Sequence, residues 1–311
     1  MISAVINTLN AEKTVERALR SVKPWVDEIV VVDMHSDDAT VDICRRYTHL
    51  VFPHERTGYV EPARNFAIDK AAGPFILVID ADEEATPELM RELAATAGQD
   101  GAPDVVRIPM RSQFLGRWMT GGAFWPDYHV RFFKKEAVRW QHRIHSFPET
   151  SGTEISLRAE QPLALRHYFC GSISDFVRRI DAYTDREAQS LLDNNSRLPW
   201  NGLLRAPVKE FCKRFFKFRG HADGVHGMIH ALLMAFYGFL SYAKAYERRE
   251  LTNTEAPEDA AAFVSEAGRE LQKAFLQVVA SFSRCAKGFR TGVRDRIRLR
   301  AAYLFASVLR K

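Results

Sequence analysis

The 311 residues are 46% apolar and 11% aromatic, enough for a packed core, which excludes a largely disordered chain. The net charge of +5 is modest but gathers late: after Glu270, a run of lysines and arginines meets the single acid Asp295. The four cysteines, Cys44, Cys170, Cys212 and Cys285, have no paired spacing, which excludes a cysteine zinc knot or disulfide framework and fits a reducing compartment.

Met1 runs directly into an apolar stretch without a basic leader or small-residue cleavage site, so the chain is expected to stay in the cytoplasm. Residues 2–9, 28–33, 49–53 and 75–80 read as Val- and Ile-rich strands. Between them, residues 12–22, 40–47 and 61–70 carry helical apolar spacing, with Asn10 a predicted N-cap for the first. Thr86-Pro87 predicts the cap and first turn of a helix reaching about Ala97. Repeated strand–helix–strand units predict an α/β fold, a Rossmann-like, doubly wound and mostly parallel sheet. Ligands of such sheets sit beyond the carboxyl ends of the strands, where this chain places Thr8, Asn10, Asp33, Asp80 and Asp82.

From residue 104 to 167 the pattern is mixed, with strand-like pieces at 105–109, 128–133 and 163–167 between glycine- and aromatic-rich loops. After Ser172 the chain turns helical, so a helical C-terminal appendage is expected. The predicted organisation is a catalytic domain over 1–198, amphipathic helices over 199–250, and a linker with a basic helical tail over 251–311.

The run Ile76-Leu77-Val78-Ile79-Asp80-Ala81-Asp82-Glu83 sets two carboxylates two residues apart just past an apolar strand. In extended backbone, residues i and i+2 point the same way, so both acids can face one ligand. One or two carboxylates can hold a divalent ion, Mg2+ or Mn2+, that completes its shell with water and phosphate oxygens. The alternative is a solvated acidic loop. Glu83 and Glu84 read as solvated acids ahead of the Thr86 helix.

Four ordered blocks resemble glycosyltransferase family two: Val5-Ile6-Asn7-Thr8-Leu9-Asn10-Ala11-Glu12; residues 28–40 with their Asp33-Met34-His35-Ser36-Asp37-Asp38-Ala39-Thr40 turn; Ala63-Arg64-Asn65-Phe66-Ala67; and Asp80-Ala81-Asp82-Glu83. Trp125-Pro126-Asp127-Tyr128-His129-Val130-Arg131-Phe132-Phe133, His145 and His167-Tyr168 narrow the likeness to lipopolysaccharide-core glucosyltransferases. The likeness covers roughly the first 185 residues; His145-Ser146 stands where relatives often have His-Glu, and Met34-His35 replaces smaller residues.

The resemblance implies an A-type glycosyltransferase fold and an inverting, metal-dependent hexosyltransferase. Its donor would be a nucleoside diphosphate sugar such as a UDP-hexose, and its acceptor a saccharide, free or lipid-linked. It implies that Thr8, Asn10 and Glu12 border base and ribose, that Asp33 accepts from the base, and that Arg64 approaches the nucleotide. Asp80 would touch ribose or a metal-bound water, Asp82 would ligate the metal, and His145 would be a further metal or diphosphate contact, or a core histidine. Asp127, after the mobile-looking loop Thr120-Gly121-Gly122-Ala123 and flanked by Trp125 and Tyr128, is the expected base, with a pKa raised by partial burial. Asp33 and Asp127 also read as turn carboxylates, and Arg64 as an exposed helix arginine.

Two rival readings of the sequence are a nucleotidyltransferase, against which the absence of a glycine-rich, basic loop after the first strand counts, and a non-catalytic membrane-associated nucleotide-sugar-binding scaffold. Nucleic-acid binding has only charge in its favour, so no nucleic-acid partner is expected. Residues 203–219 interleave basic and aromatic side chains, suited to anionic headgroups. The uncharged run 225–243 is long enough for a span, an interfacial helix or a buried helix. His226, Gly227, His230 and Gly238 weaken the span, and the later basic residues favour the interfacial case, at the inner face of the membrane.

Overall fold

The structure, a computed structural model, describes residues 1–56, 61–140, 148–194, 198–249 and 260–286. Strand β1 (Ile2–Thr8) lies between two parallel neighbours, β2 (Glu28–Asp33) and β4 (Phe75–Val78), and is buried along its whole length because side chains pack on both faces of the sheet. A strand covered on both faces is mainly apolar, as Ile2 and Ala4-Val5-Ile6 are here, with the polar Ser3, Asn7 and Thr8 also buried. β3 (Val51–Pro53) pairs parallel with β2. Helices α1 (Val15–Val22), α2 (Thr40–Arg45) and α3 (Glu61–Lys70) connect these strands.

Alternate residues of the same strands feed two cores. Ala4, Ile6, Ile29, Val31 and Leu77 pack with α1 and α2, and with Leu89 and Leu93 of α4 (Pro87–Ala97). Val5, Val30, Val32, Ile76 and Val78 pack with Ala67 and Ile68 of α3. The sheet is therefore doubly wound, as expected.

Beyond β4 the sheet changes character. After the short β5 (Glu83–Glu84) and α4 come β6 (Val105–Phe114), β7 (Arg117–Trp118) and β8 (Asp127–Lys134). β8 inserts between β4 and β6, antiparallel to both. β9 (Val138–Arg139) and β10 (Glu149–Thr150) form a separate antiparallel pair, β11 (Glu154–Ser156) joins β6, and β12 (Leu165–Cys170) lies antiparallel to β5. The order through the main sheet is β3-β2-β1-β4-β8-β6-β12-β5.

Asn10 does not cap α1, whose N-cap position is Thr14. Asn10 instead adopts a positive φ of 50°, its N–H donates to Ser36 Oγ at 2.8 Å, and its side-chain oxygen accepts from Asp37 N–H at 3.0 Å. Thr86 does cap α4, accepting from Leu89 N–H at 3.1 Å.

The chain divides into two units, residues 1–118 with 124–169, and residues 119–123 with 170–311. The division falls after Phe169 instead of after residue 198, because α5 (Ile173–Asn194) packs on α7 (Val225–Arg248) in the second unit. Lys244 and Arg248 of α7 reach Asp181 and Asp185 of α5 at 2.8 and 2.6 Å. Ala188, Leu198, Tyr242 and Ala245 form a small core there. The remaining elements are α6 (Gly202–Cys212), a π-helical turn over Lys213–Lys217, a 3-10 turn over Gly220–Asp223, and α8 (Ala260–Ala286).

The loop 119–123 is anchored, contrary to its mobile-looking sequence. The buried Asp223 carboxylate accepts from the Thr120 hydroxyl at 2.7 Å and from the N–H groups of Thr120 and Gly121 at 2.9 and 2.7 Å. Gly122 N–H donates to Phe218 O at 2.7 Å. A Cβ on Gly121 would stand 2.1 Å from Arg219 O, so glycine is there for close backbone approach.

α7 is long and apolar enough to cross a membrane by length and composition. Gly227, His230 and Gly238 face the interior of the helical unit, while Leu232, Phe236 and Phe239 are 55, 44 and 39% exposed. Of the four small or polar residues that weaken a span, Gly227, His230 and Gly238 are thus on the covered face, and His226 is half-buried.

Candidate active site

In a sheet ordered β3-β2-β1-β4, connections leave β1 in opposite directions, making the carboxyl ends of β1 and β4 the switch point where ligands bind. At the end of β1, Thr8 pairs in register with Asp33 of β2, and its hydroxyl donates to Asp33 Oδ1 at 2.8 Å. Ser36 adds its N–H and hydroxyl, at 2.8 and 2.6 Å, to the same buried carboxylate. Glu12 ties the β1 loop to the next one, accepting from Ala39 N–H at 3.2 Å while its own N–H donates to Asp38. Thr8, Asn10, Glu12 and Asp33 are therefore one hydrogen-bonded wall. Asn7, only 6% exposed, has a carboxamide with no hydrogen-bond partner among the described residues, an orphan that a ligand could satisfy. No role had been assigned to it.

Asp80 follows β4, whose last turn is held by Ile79 N–H donating to Val5 O. Arg64 of α3 bonds both Asp80 oxygens, at 2.6 and 2.8 Å, and Arg131 of β8 bonds Oδ2 at 2.6 Å. Burial would raise the Asp80 pKa, but Arg131 and Arg64 outweigh it and hold the carboxyl well below the usual range. Arg64 is 13% exposed, contrary to an exposed helix arginine, and lies 5.7 Å from the Trp140 ring centroid. Both residues placed by resemblance against the nucleotide are, in this structure, paired with each other.

Glu83 is not a solvated acid. It is 1% exposed, accepts from Arg131 at 2.6 Å, and receives Asp80 N–H at 2.8 Å. Burial raises its pKa, with the Asp80 charge adding to that and Arg131 opposing it. Strand β5 brings it into the sheet, so Glu83 lies inside the ionic layer under the acidic turn; Glu84 accepts from the Tyr168 hydroxyl at 2.6 Å.

Asp82, a quarter exposed, has His167 Nε2 at 3.6 Å, and Ser112 Oγ is 3.1 Å from His167 Nδ1. Burial opposes protonation of His167, but its bond to Asp82 and the charges of Asp82, Glu83 and Asp80 raise its pKa overall. β12 delivers His167 by pairing antiparallel with β5, and Tyr168 N–H donates to Asp82 O at 3.0 Å. His145 lies outside the described residues. Among the described residues there is no cluster of three or more His, Cys, Asp or Glu side chains set to hold a metal. With Asp80 committed to two guanidiniums, the acid suited to a divalent ion is Asp82. A single carboxylate fits a Mg2+-type ion that takes its other ligands from water and diphosphate oxygens.

β8 runs antiparallel to β4 with Leu77 opposite Phe132, so its N-terminal half projects past the carboxyl end of β4. Asp127 and His129 then share one face at two-residue spacing, and at Arg131 the β8–β6 register shifts by one residue. Asp127 Oδ2 is 3.0 Å from His129 Nε2, and their side chains are 50 and 39% exposed. Asp127 is thus more open than expected; Trp125 is half-buried and Tyr128 gives its hydroxyl to Leu157 O at 3.0 Å. His129 is legible in the sequence from its two-residue spacing to Asp127, whereas the placement of Arg131 is not, because the strand pairing shifts there.

A doubly wound parallel half-sheet continued by antiparallel strands, with acids at the strand ends, defines an A-type glycosyltransferase fold. Residues 3–152 match the sequence model of glycosyl transferase family 2 and are a domain of that family. An uncharacterized glycosyltransferase of Rickettsia felis is 28% identical over 254 residues, covering 79% of this chain and 89% of that protein. The lipopolysaccharide core biosynthesis glycosyltransferase LpsC of Rhizobium meliloti is 24% identical over 270 residues, covering 83% of this chain and 97% of that one. Among solved structures, S. aureus TarS 1-349 in complex with UDP aligns over 80% of this chain and 92% of that chain, with 17% identity and a TM-score of 0.43.

Proposed function

We propose that this chain moves a hexose from a nucleoside diphosphate donor, a UDP-hexose, onto a saccharide acceptor with inversion at the anomeric carbon. The observation that carries this reading is the register of β8, which sets Asp127 beyond the carboxyl end of β4, on the side of the acidic turn. Asp127 takes the proton of the acceptor hydroxyl as that oxygen attacks the anomeric carbon, and the bond to the diphosphate breaks with its electron pair leaving on the diphosphate. His129, at 3.0 Å, orients the Asp127 carboxylate. Thr8, Asn10, Glu12 and Asp33 form the wall for base and ribose, where an ionised acceptor such as Asp33 strengthens a bond from a base N–H. Asp82 would hold the divalent ion, which when bound neutralises charge on the leaving diphosphate. Arg64 and Arg131 keep Asp80 ionised and fixed beside it.

The acceptor in this reading is lipid-linked, a lipopolysaccharide core, in keeping with the name of the Rhizobium meliloti relative. The exposed Leu232, Phe236 and Phe239 of α7, with the basic residues of α6 and the π turn, support peripheral attachment to the inner face of an anionic membrane.

Two experiments test the proposal. Purified protein is offered a panel of nucleotide sugars with Mg2+ or Mn2+ and a saccharide acceptor, and free nucleoside diphosphate is measured. Release with one donor, dependent on acceptor, is expected; none with any donor overturns the transferase reading. The protein should also float with anionic vesicles and leave them at high salt. Binding that survives salt and alkaline carbonate would instead indicate a span, and no binding would indicate a soluble acceptor.

A further inference from the structure

The helical unit contains a groove of about 470 Å3 whose lysines the proposed membrane attachment uses only as part of a general basic surface. One wall carries Lys209, Lys213 and Lys217, and the other carries Gln277, Ser281 and Cys285 of α8. No carboxylate lines it among the described residues. Lys213 shares Glu210 with Arg214, at 3.1 and 3.5 Å. Lys209 and Lys217 have no acidic partner among the described residues; the Lys217 ammonium lies 5.7 Å from the Phe218 ring centroid.

The backbone aligns these charges. A four-residue step on an α-helix overshoots a full turn by about 40°, so Lys213 is rotated from Lys209. The next step crosses the π turn over Lys213–Lys217, a wider coil with i→i+5 bonding, which turns the drift back and returns Lys217 to the groove. Like charges four residues apart on one helix face repel, so the row is unfavourable by itself and is relieved by an anion. Lysines are point charges suited to phosphate, and the Gln277 carboxamide offers a neutral donor on the opposite wall.

We propose that this groove binds a phosphomonoester-type dianion, its two charges matched by Lys209 and Lys217. The phosphate could belong to a lipid headgroup or to a soluble phosphorylated compound, and the two sources are separable. The full chain, with chelator and no nucleotide, is titrated calorimetrically with inorganic phosphate at constant ionic strength. The same protein is mixed with phosphatidylcholine vesicles that contain or lack phosphatidic acid. The comparison is with Lys209→Gln/Lys217→Gln, two exposed side chains whose loss should leave the thermal midpoint unchanged. We expect single-site binding that weakens at least tenfold in the variant. Weakened binding to the phosphatidic acid vesicles, displaceable by phosphate in the wild type, assigns a headgroup; weakened binding of inorganic phosphate alone assigns a soluble ligand. If neither interaction weakens in the variant, the proposal is overturned. Because no sugar transfer is measured, its failure leaves the proposed transfer chemistry untouched, and failure of that chemistry leaves the phosphate site untouched.

Discussion

Replacing Arg131 with methionine would remove the guanidinium that lies 2.6 Å from both Asp80 and Glu83 while roughly keeping its apolar volume. Arg131 and Glu83 are 6 and 1% exposed, so Glu83 would lose its cation without gaining water and would be left facing the Asp80 charge. Breaking a buried pair from one side costs about 3–5 kcal/mol. Asp80 would keep Arg64 and is itself about a quarter exposed, which argues for the lower part of that range, about 3–4 kcal/mol. A domain of this size shifts its midpoint by about 2–4 °C per kcal/mol, so a fall of about 6–16 °C is expected. Denaturant unfolding and calorimetry of the wild type, Arg131→Met, Glu83→Gln and the double variant would complete a thermodynamic cycle. The double variant should recover at least about 1 kcal/mol relative to the sum of the single losses, since removing both partners leaves no stranded charge. A loss below about 1 kcal/mol for Arg131→Met, or strict additivity, would refute the coupled ionic layer.

Asp82→Asn should abolish transfer and leave the midpoint unchanged; full activity in that variant, or wild-type activity undiminished by excess chelator, would remove the metal from the reaction. Asp127→Asn should lower turnover by about 10²–10⁴, the usual contribution of a general base, with nucleoside diphosphate affinity nearly unchanged by calorimetry. Lost affinity with turnover kept at saturation would place Asp127 in the donor site and make Glu149 the next candidate base. Asp223→Ala strands the Thr120 and Gly121 donors, each worth about 1–3 kcal/mol when buried, so hydrogen exchange at those two amides should rise steeply; unchanged protection would show that other contacts hold the loop. Burial, reinforced by Arg214 and opposed by Asp223, pushes His230 down to about 3, so it is neutral in the fold. The unfolded chain takes up that proton near pH 6.5, so stability falls as pH drops from about 6.5 toward 3, by up to about 1.4 kcal/mol per unit. His230→Leu should flatten the midpoint-versus-pH curve in that window, and an identical slope would show that other groups set it.

Much of the N-terminal unit could be read along the chain because its signals are local. The predominantly apolar runs of β1, β2 and β4 follow from strands covered on both faces, and the Thr86-Pro87 cap is complete within four residues. The acidic turn at Asp80 and Asp82 and the aspartate at 127 stood out by residue type and place. Their partners did not, because each comes from another strand. Arg131 reaches Asp80 only through the antiparallel register of β8 on β4, and His167 reaches Asp82 only through β12 on β5. Glu83 looks like a surface acid in sequence, and only its placement in β5 beneath Arg131 makes it a buried one. The glycine loop at 120–123 likewise reads as mobile until Asp223, about a hundred residues later, supplies its hydrogen bonds. Residue types and periodicity determined the fold of the first hundred residues and the identity of the acids. Tertiary pairing decided which acids are buried against cations and which face of α7 meets solvent, because these depend on contacts between segments far apart in the chain.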